Sequence, residues 1–233
     1  MIRLQRGPAH GRLNMHSAAW TARWRAIHGG TQNGDWATPT AKELLSTELR
    51  RLSRGKCAYC EGLLGVTSYL EIEHYIAKTV KPDLAFDWNN LLPVCRLCNG
   101  KKSNIDHKGL LLKPDRDDPE SVLWLNPDSG ELETRVGVAP ALRRRVERTI
   151  ELCDLQRGLL CTKRIEVMNK TIRWLERVSA LGGGPLDRKL RDEWAELSNP
   201  HSEYKFVIRH VLEIKGEPRL ASYDRVQFEF FTG

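Results

Sequence analysis

Cys57-Ala-Tyr-Cys60 and Cys95-Arg-Leu-Cys98 are two CxxC pairs with 34 residues between them. A CxxC turn brings two thiolates to one side of a tight backbone loop, and two such turns supply a tetrahedral all-sulfur site that suits zinc. The gap is longer than the ~15–20 residues usual between the pairs of a zinc ribbon, so the excess is an insertion hung between two knuckles. A redox CxxC is the main rival, but two pairs flanking one short insert fit metal better. Cys153 and Cys161 fall on apolar faces of helical segments and read as core cysteines.

The insert carries Glu71-Ile72-Glu73-His74 and then Asp87-Trp88-Asn89-Asn90-Leu91-Leu92-Pro93, and the second pair runs straight into Asn99-Gly100-Lys101-Lys102. These residue types suit phosphodiester hydrolysis. An imidazole with an ordinary pKa near ~6.5 accepts a proton from water at neutral pH. A hard cation held by carboxylate and amide oxygens binds a phosphate and stabilises the leaving oxygen. On an extended segment the adjacent Glu73 and His74 point to opposite sides, so a bend or a strand end is needed to aim both at one phosphate. Taken singly, the Glu-His pair is a surface accident, Asn90 a turn former and Asn99 a helix cap. Their joint placement between two knuckles is what points to a site. His107 lies outside the pattern and reads as an exposed residue.

The elements around the insert are mostly helical. Residues 1–15 read as extended, broken at Gly7-Pro8, and residues 16–28 as a short helix with Trp20 and Trp24 one turn apart. Residues 40–54 form an amphipathic helix with Leu44, Leu45, Leu49 and Leu52 on one side and Gly55 as its stop. Residues 121–136 read as a hairpin around Pro127-Asp128-Ser129-Gly130. From 140 the pattern turns helical: Leu142, Val146, Ile150 and Cys153 share one face, and Cys161, Ile165, Met168, Ile172 and Leu175 share another. One or two helices follow over 186–213, and the tail VQFEFFTG reads as a terminal strand. The expected fold class is α+β, mostly helical. Residues 1–139 hold the N-terminal helices and the zinc-stabilised catalytic module, and residues 140–233 a helical docking and nucleic-acid-binding region.

With 233 residues, 40% hydrophobic and 29% charged, the chain can bury a core without disulfides. The N-terminus shows no secretory signal and no apolar run approaches the ~18 residues of a membrane span, so a cytoplasmic location is expected. The net charge of +7 is unevenly spread. Residues 1–34 hold five Arg and no acid, and residues 140–180 hold ten basic and five acidic residues, with Arg143, Arg144 and Arg145 in a row. Such segments suit a phosphate backbone; the bland alternative is a solvated helix face.

The stretch from Cys57 to Lys102 resembles the HNH endonucleases: an acid-His pair ending a strand, an Asn in the connecting loop, an Asn opening a helix, all bracketed by two CxxC pairs. The resemblance implies a ββα-metal module. Glu73 and Asn99 would be ligands of a catalytic Mg²⁺ or Mn²⁺, and His74 the general base. Asn90 would fix the loop, Lys102 would touch a phosphate, and Cys57, Cys60, Cys95 and Cys98 would hold structural Zn²⁺. Ala77 stands where many members have Pro, which affects loop rigidity rather than chemistry. Met1-Ile2-Arg3-Leu4-Gln5-Arg6-Gly7-Pro8, Gly55-Lys56-Cys57-Ala58-Tyr59-Cys60-Glu61, Asp117-Asp118-Pro119-Glu120 and Glu147-Arg148-Thr149-Ile150-Glu151-Leu152 further resemble the HNH subunits of Septu and related retron anti-phage defence systems. That implies a bacterial effector acting beside an ABC/SMC-like ATPase. DNA is the favoured substrate. RNA (tRNA) cleavage is the alternative, and a non-catalytic zinc-binding nucleic-acid module is a third reading, disfavoured because binding alone does not require Glu73, His74 and Asn99 together.

Overall fold

The computed structural model describes residues 1, 3–28, 36–66, 68–100, 109–182 and 185–217. Lys102, His107 and the expected terminal strand lie outside these residues.

Helix α1 spans Gly11–His28 and α2 spans Pro39–Leu52. The first helix begins earlier than the Trp20/Trp24 spacing suggests, because Leu13 is already a buried anchor among polar neighbours. Helix α2 starts where Thr38 Oγ1 accepts the Ala41 amide at 3.2 Å and Pro39 takes the first turn. It buries Ala41, Leu45 and Leu49 and ends at left-handed Arg54 and Gly55.

Strands β1 (Leu70–His74) and β2 (Leu91–Cys95) pair antiparallel, from Leu70 opposite Cys95 to His74 opposite Leu91. Short 3₁₀ turns at Pro82–Leu84 and Trp88–Asn90 shape the connection. Helix α3 (Arg96–Gly100) follows β2 directly, which completes the ββα order. The alternation of β2 divides two cores. Leu91 joins Leu13, Trp24, Leu45, Leu49 and Phe86 in a smaller cluster, while Leu92 and Val94 join a larger one. The hairpin is therefore held from both faces. Pro93, opposite Ile72, lacks an N–H, and its carbonyl accepts the Ala58 amide at 2.8 Å, which straps the first CxxC loop to the strand.

The second hairpin, β3 (Leu123–Leu125) with β4 (Leu132–Thr134), starts later than expected. Residues Pro119–Val122 form a helical turn, α4, because Asp118 caps the Glu120 amide and Pro119 fixes the first position. Helices α5 (Pro140–Leu152), α6 (Gly158–Ala180), α7 (Arg188–Ser198) and α8 (Lys205–Ile214) follow. Helix α6 packs on α7 and α8, with Trp174 and Trp194 stacked at 4.6 Å. The larger apolar cluster draws on residues before and after 140, and Cys153 and Cys161 are buried. No described helix is long and apolar enough to cross a membrane.

The arginines and lysines of α5 and α6 do not form one uniform cationic face. Arg164 is 3% exposed and donates to the Gly130 carbonyl at 3.0 Å. Arg145 pairs with Asp117 at 2.6 Å and donates to the Leu111 carbonyl. Lys170 pairs with Glu196 and Arg177 with Glu193 across the α6–α7 contact. These helices are packed on more than one side, so several cations are spent on internal carboxylates and carbonyls. Arg143 and Arg144 are exposed.

Candidate active site and zinc centre

The four cysteines of the two CxxC pairs converge. Their sulfur atoms all lie within 4.8 Å of one another and all four side chains are buried and free of disulfides. The Cys60 and Cys95 sulfurs are 3.8 Å apart. A tetrahedral zinc site with Zn–S bonds of about 2.3 Å has sulfur–sulfur edges of about 3.8 Å, so the cluster fits zinc. The Cys95 amide points at the Cys57 sulfur at 3.3 Å, a backbone dipole aimed at a position that carries negative charge when metal binds. Hydrogen bonds from the neighbouring thiols hold Cys60 well below the usual thiol range, while burial pushes Cys57 up. Four crowded thiols cannot all behave alike, and a single dication would replace their protons.

One strand further along, the carboxylates take their places. Glu71 and Glu73 stand two residues apart on β1 and so share a face, while Ile72 and His74 share the other. Asn99, on α3, donates from Nδ2 to Glu71 Oε2 at 2.8 Å. That bond fixes the amide, leaving Oδ1 as its acceptor end. The structure thus brings Asn99 to the carboxylate face of β1. The contact itself is with Glu71, a residue the motif did not single out. The signal was present as the alternation Glu71-Ile72-Glu73, two acids on one face of a strand.

His74 ends β1 and turns toward the smaller core. Its ring meets Trp36 edge-on at 4.6 Å and is 7% exposed. Nε2 lies 2.9 Å from the Ala85 carbonyl, which can only accept, so Nε2 carries the hydrogen and Nδ1 is the basic nitrogen of the neutral ring. Burial, then the nearby Lys78 charge, pull the His74 pKa down to about 4, against the opposing pull of the Ala85 carbonyl. The imidazole is therefore in its base form at neutral pH.

Asn90 is buried and makes the loop rigid. Its Oδ1 accepts the Ile76 amide at 2.8 Å, and its Nδ2 donates to the Ile76 carbonyl at 2.9 Å and the Leu84 carbonyl at 3.1 Å. It bridges the residues just after β1 to those just before the His74 acceptor, so the two ends of the long connection cannot drift apart. Arg143, Arg144 and Arg145 lie in the first turns of α5, far from these carboxylates in sequence, and Arg145 is tied to Asp117.

A zinc-type cysteine cluster, a ββα hairpin, an acid-His strand end and an Asn at the following helix stand in a single order along one short segment. Residues 57–104 match the HNH endonuclease family model. This segment is an HNH endonuclease domain. The chain is accordingly a nuclease, a hydrolase acting on nucleic acid. Around the HNH domain the likeness extends further. The Septu protein PtuB of Bacillus thuringiensis is 29% identical over 224 residues, which cover 91% of this chain and 82% of that protein. The Septu protein PtuB of Bacillus mycoides strain KBAB4 is 33% identical over 171 residues, covering 60% of this chain and 56% of that protein.

Proposed function

We propose that the chain is a metal-dependent endonuclease that hydrolyses phosphodiester bonds of DNA, and that it serves as the effector of a Septu-type bacterial anti-phage defence system beside an ABC/SMC-like ATPase. The observation that carries the catalytic reading is the hairpin itself. One strand carries two carboxylates and an oriented amide beside one face and ends, on the other face, in a histidine whose tautomer is set by a backbone carbonyl. We infer that the end of the strand, where the alternation stops, lets both sides address one phosphate.

Glu73 and Asn99 are oxygen donors suited to a hard dication, so they would hold Mg²⁺ or Mn²⁺. When bound, such an ion neutralises charge on the scissile phosphate and on its leaving oxygen. His74 accepts the proton of the attacking water at Nδ1, because its Nε2 hydrogen is committed to the Ala85 carbonyl. Glu71 holds the Asn99 amide in register, and Asn90 holds the loop that carries Ala85. The Cys57–Cys60 and Cys95–Cys98 knuckles fix the two strands relative to each other, which is a positioning role. The division of labour we infer is functional. Residues 1–139 perform the cleavage, and residues 140–233 dock nucleic acid or the ATPase, with Arg143 and Arg144 at the phosphate backbone, Arg145 setting the start of α5 beneath them, and Lys102 as a further phosphate contact.

The test is direct. Purified protein is incubated with plasmid and with total RNA, each with Mg²⁺, Mn²⁺ or chelator. Nicking or linearisation of plasmid that needs metal and disappears with His74→Ala supports the reading. Cleavage of RNA alone overturns the DNA substrate, and plasmid cleavage retained by His74→Ala overturns the base assignment.

A further inference from the structure

We propose that Arg157, at the start of α6, is an outer-sphere residue of the zinc centre, and that through it the helical half of the chain helps to retain the metal. Zinc bound by four thiolates leaves a net double negative charge in a buried place. Such a charge is costly unless something of opposite sign, or a set of hydrogen-bond donors, compensates it.

Arg157 is in the right place to do so. Its Nη1 donates to the Cys98 sulfur at 3.7 Å. The same nitrogen donates to the Asp154 carbonyl at 2.9 Å, and Asp154 sits in a left-handed turn, φ 49°, that joins α5 to α6. The turn therefore aims the guanidinium before any metal arrives. Against the cost of burial, the Cys98 and Cys60 sulfurs favour the charged guanidinium.

A second group of contacts shows the same grip from the other side. Glu61, directly after Cys60, accepts the Phe206 amide at the start of α8 at 3.1 Å. Lys56, directly before Cys57, donates to the Pro200 carbonyl at 2.8 Å and the Ser202 carbonyl at 3.0 Å. Residues after 140 therefore hold both knuckles, the first through backbone groups around α8 and the second through Arg157. The competing view is that Arg157 merely caps the Asp154 turn and fills space.

The test uses full-length, zinc-loaded protein. Zinc release into a chromogenic chelator is timed for the parent, Arg157→Met, Arg157→Lys and, as a control, Arg148→Met, whose partner Glu151 lies on the same helix. Outer-sphere changes typically alter metal affinity by about ten- to a hundredfold. Arg157→Met should release zinc about tenfold faster or more, Arg157→Lys by less, and Arg148→Met at the parental rate. The cobalt-substituted proteins supply a readout that folding defects do not move. Loss of the cation should shift the sulfur-to-cobalt charge-transfer band to lower energy in Arg157→Met. Parental release, or faster release with an unmoved band, overturns the proposal. If Arg157→Met does not fold, Arg157→Lys decides on the same two measurements.

Discussion

The Asn90 amide and the His74 imidazole grip neighbouring carbonyls of one loop: Asn90 Nδ2 donates to Leu84 at 3.1 Å, and His74 Nε2 to Ala85 at 2.9 Å. A histidine that loses that carbonyl loses the reason for its tautomer. Two substitutions should therefore fail differently. His74→Ala is expected to abolish cleavage while zinc content and nucleic-acid binding stay near parental, at a stability cost of about 1–3 kcal/mol because the Ala85 carbonyl loses its donor. Asn90→Ala removes three buried hydrogen bonds at once, so it is expected to lower both the melting temperature and kcat, with a stability loss of about 2–4 kcal/mol. Cleavage by His74→Ala within about tenfold of the parent would exclude His74 as the base. An unchanged melting temperature for Asn90→Ala would exclude the loop argument.

Gly130 provides a test of how the second hairpin meets the helices. Its φ is 71°, and a Cβ there would sit 2.4 Å from the Cys161 carbonyl oxygen on α6. The neighbouring atom is helix backbone, which cannot swing away. Gly130→Ala combines a left-handed residue with that clash and should cost about 3 kcal/mol or more. Thermal unfolding checks this, and a loss below about 1 kcal/mol would mean that the turn can lift off α6.

Acid should weaken the fold before the carboxylates titrate. His74, with its pKa pulled to about 4, takes its proton much less readily in the folded chain than in the unfolded one, where about 6.5 is normal. His210, against Trp124, is also held down by burial and by Arg135. A depressed histidine stabilises the fold above its unfolded pKa and loses that contribution as pH falls toward the folded value. For His74 the loss approaches ~3 kcal/mol near pH 4. Stability is thus expected to decline from pH 6.5 downward. The decline should be shallower in His74→Gln and in His210→Asn, compared as slopes so that acid-driven zinc loss, common to all, cancels. Parallel slopes for parent and both variants would contradict it.

The cysteine cluster and the HNH segment were legible because their pattern is distinctive and its spacing local. Two CxxC turns, Glu73-His74, Asn90 and Asn99 lie within one short segment, and hydrophobic periodicity located α2, α5 and α6 around it. The supporting residues were not legible for the opposite reason. Arg157 is one of ten basic residues between 140 and 180, and nothing local distinguishes it from Arg148. What sets it apart is the turn that points it 59 residues back, onto Cys98. Arg164 lies inside because Gly130 offers a carbonyl there, a contact 34 residues away in sequence. Periodicity predicts a face, and tertiary packing decides which cation on it meets water.

That distinction sets the expectation for Arg143, Arg144 and Arg145. Their adjacency in sequence suggests one phosphate-binding run, yet they sit in different places. Arg143 and Arg144 are exposed, whereas Arg145 is half-buried and engaged by Asp117 at 2.6 Å and by the Leu111 carbonyl at 2.8 Å. Reversing Arg143 and Arg144 to Glu should weaken nucleic-acid binding, lower the salt dependence by about two phosphate contacts, and leave melting unchanged. Reversing Arg145 should lower the melting temperature, since it places a carboxylate against Asp117 and leaves the Leu111 carbonyl without its donor. Arg145 then serves binding by setting the start of α5 in place. Fluorescence anisotropy across a salt series, with melting curves on the same samples, separates the two effects. If the Arg143/Arg144 pair changes neither affinity, nor salt slope, nor association with a co-expressed ATPase, the phosphate contact moves to Arg3, Arg12, Arg23 and Arg25, the exposed arginines that precede α2.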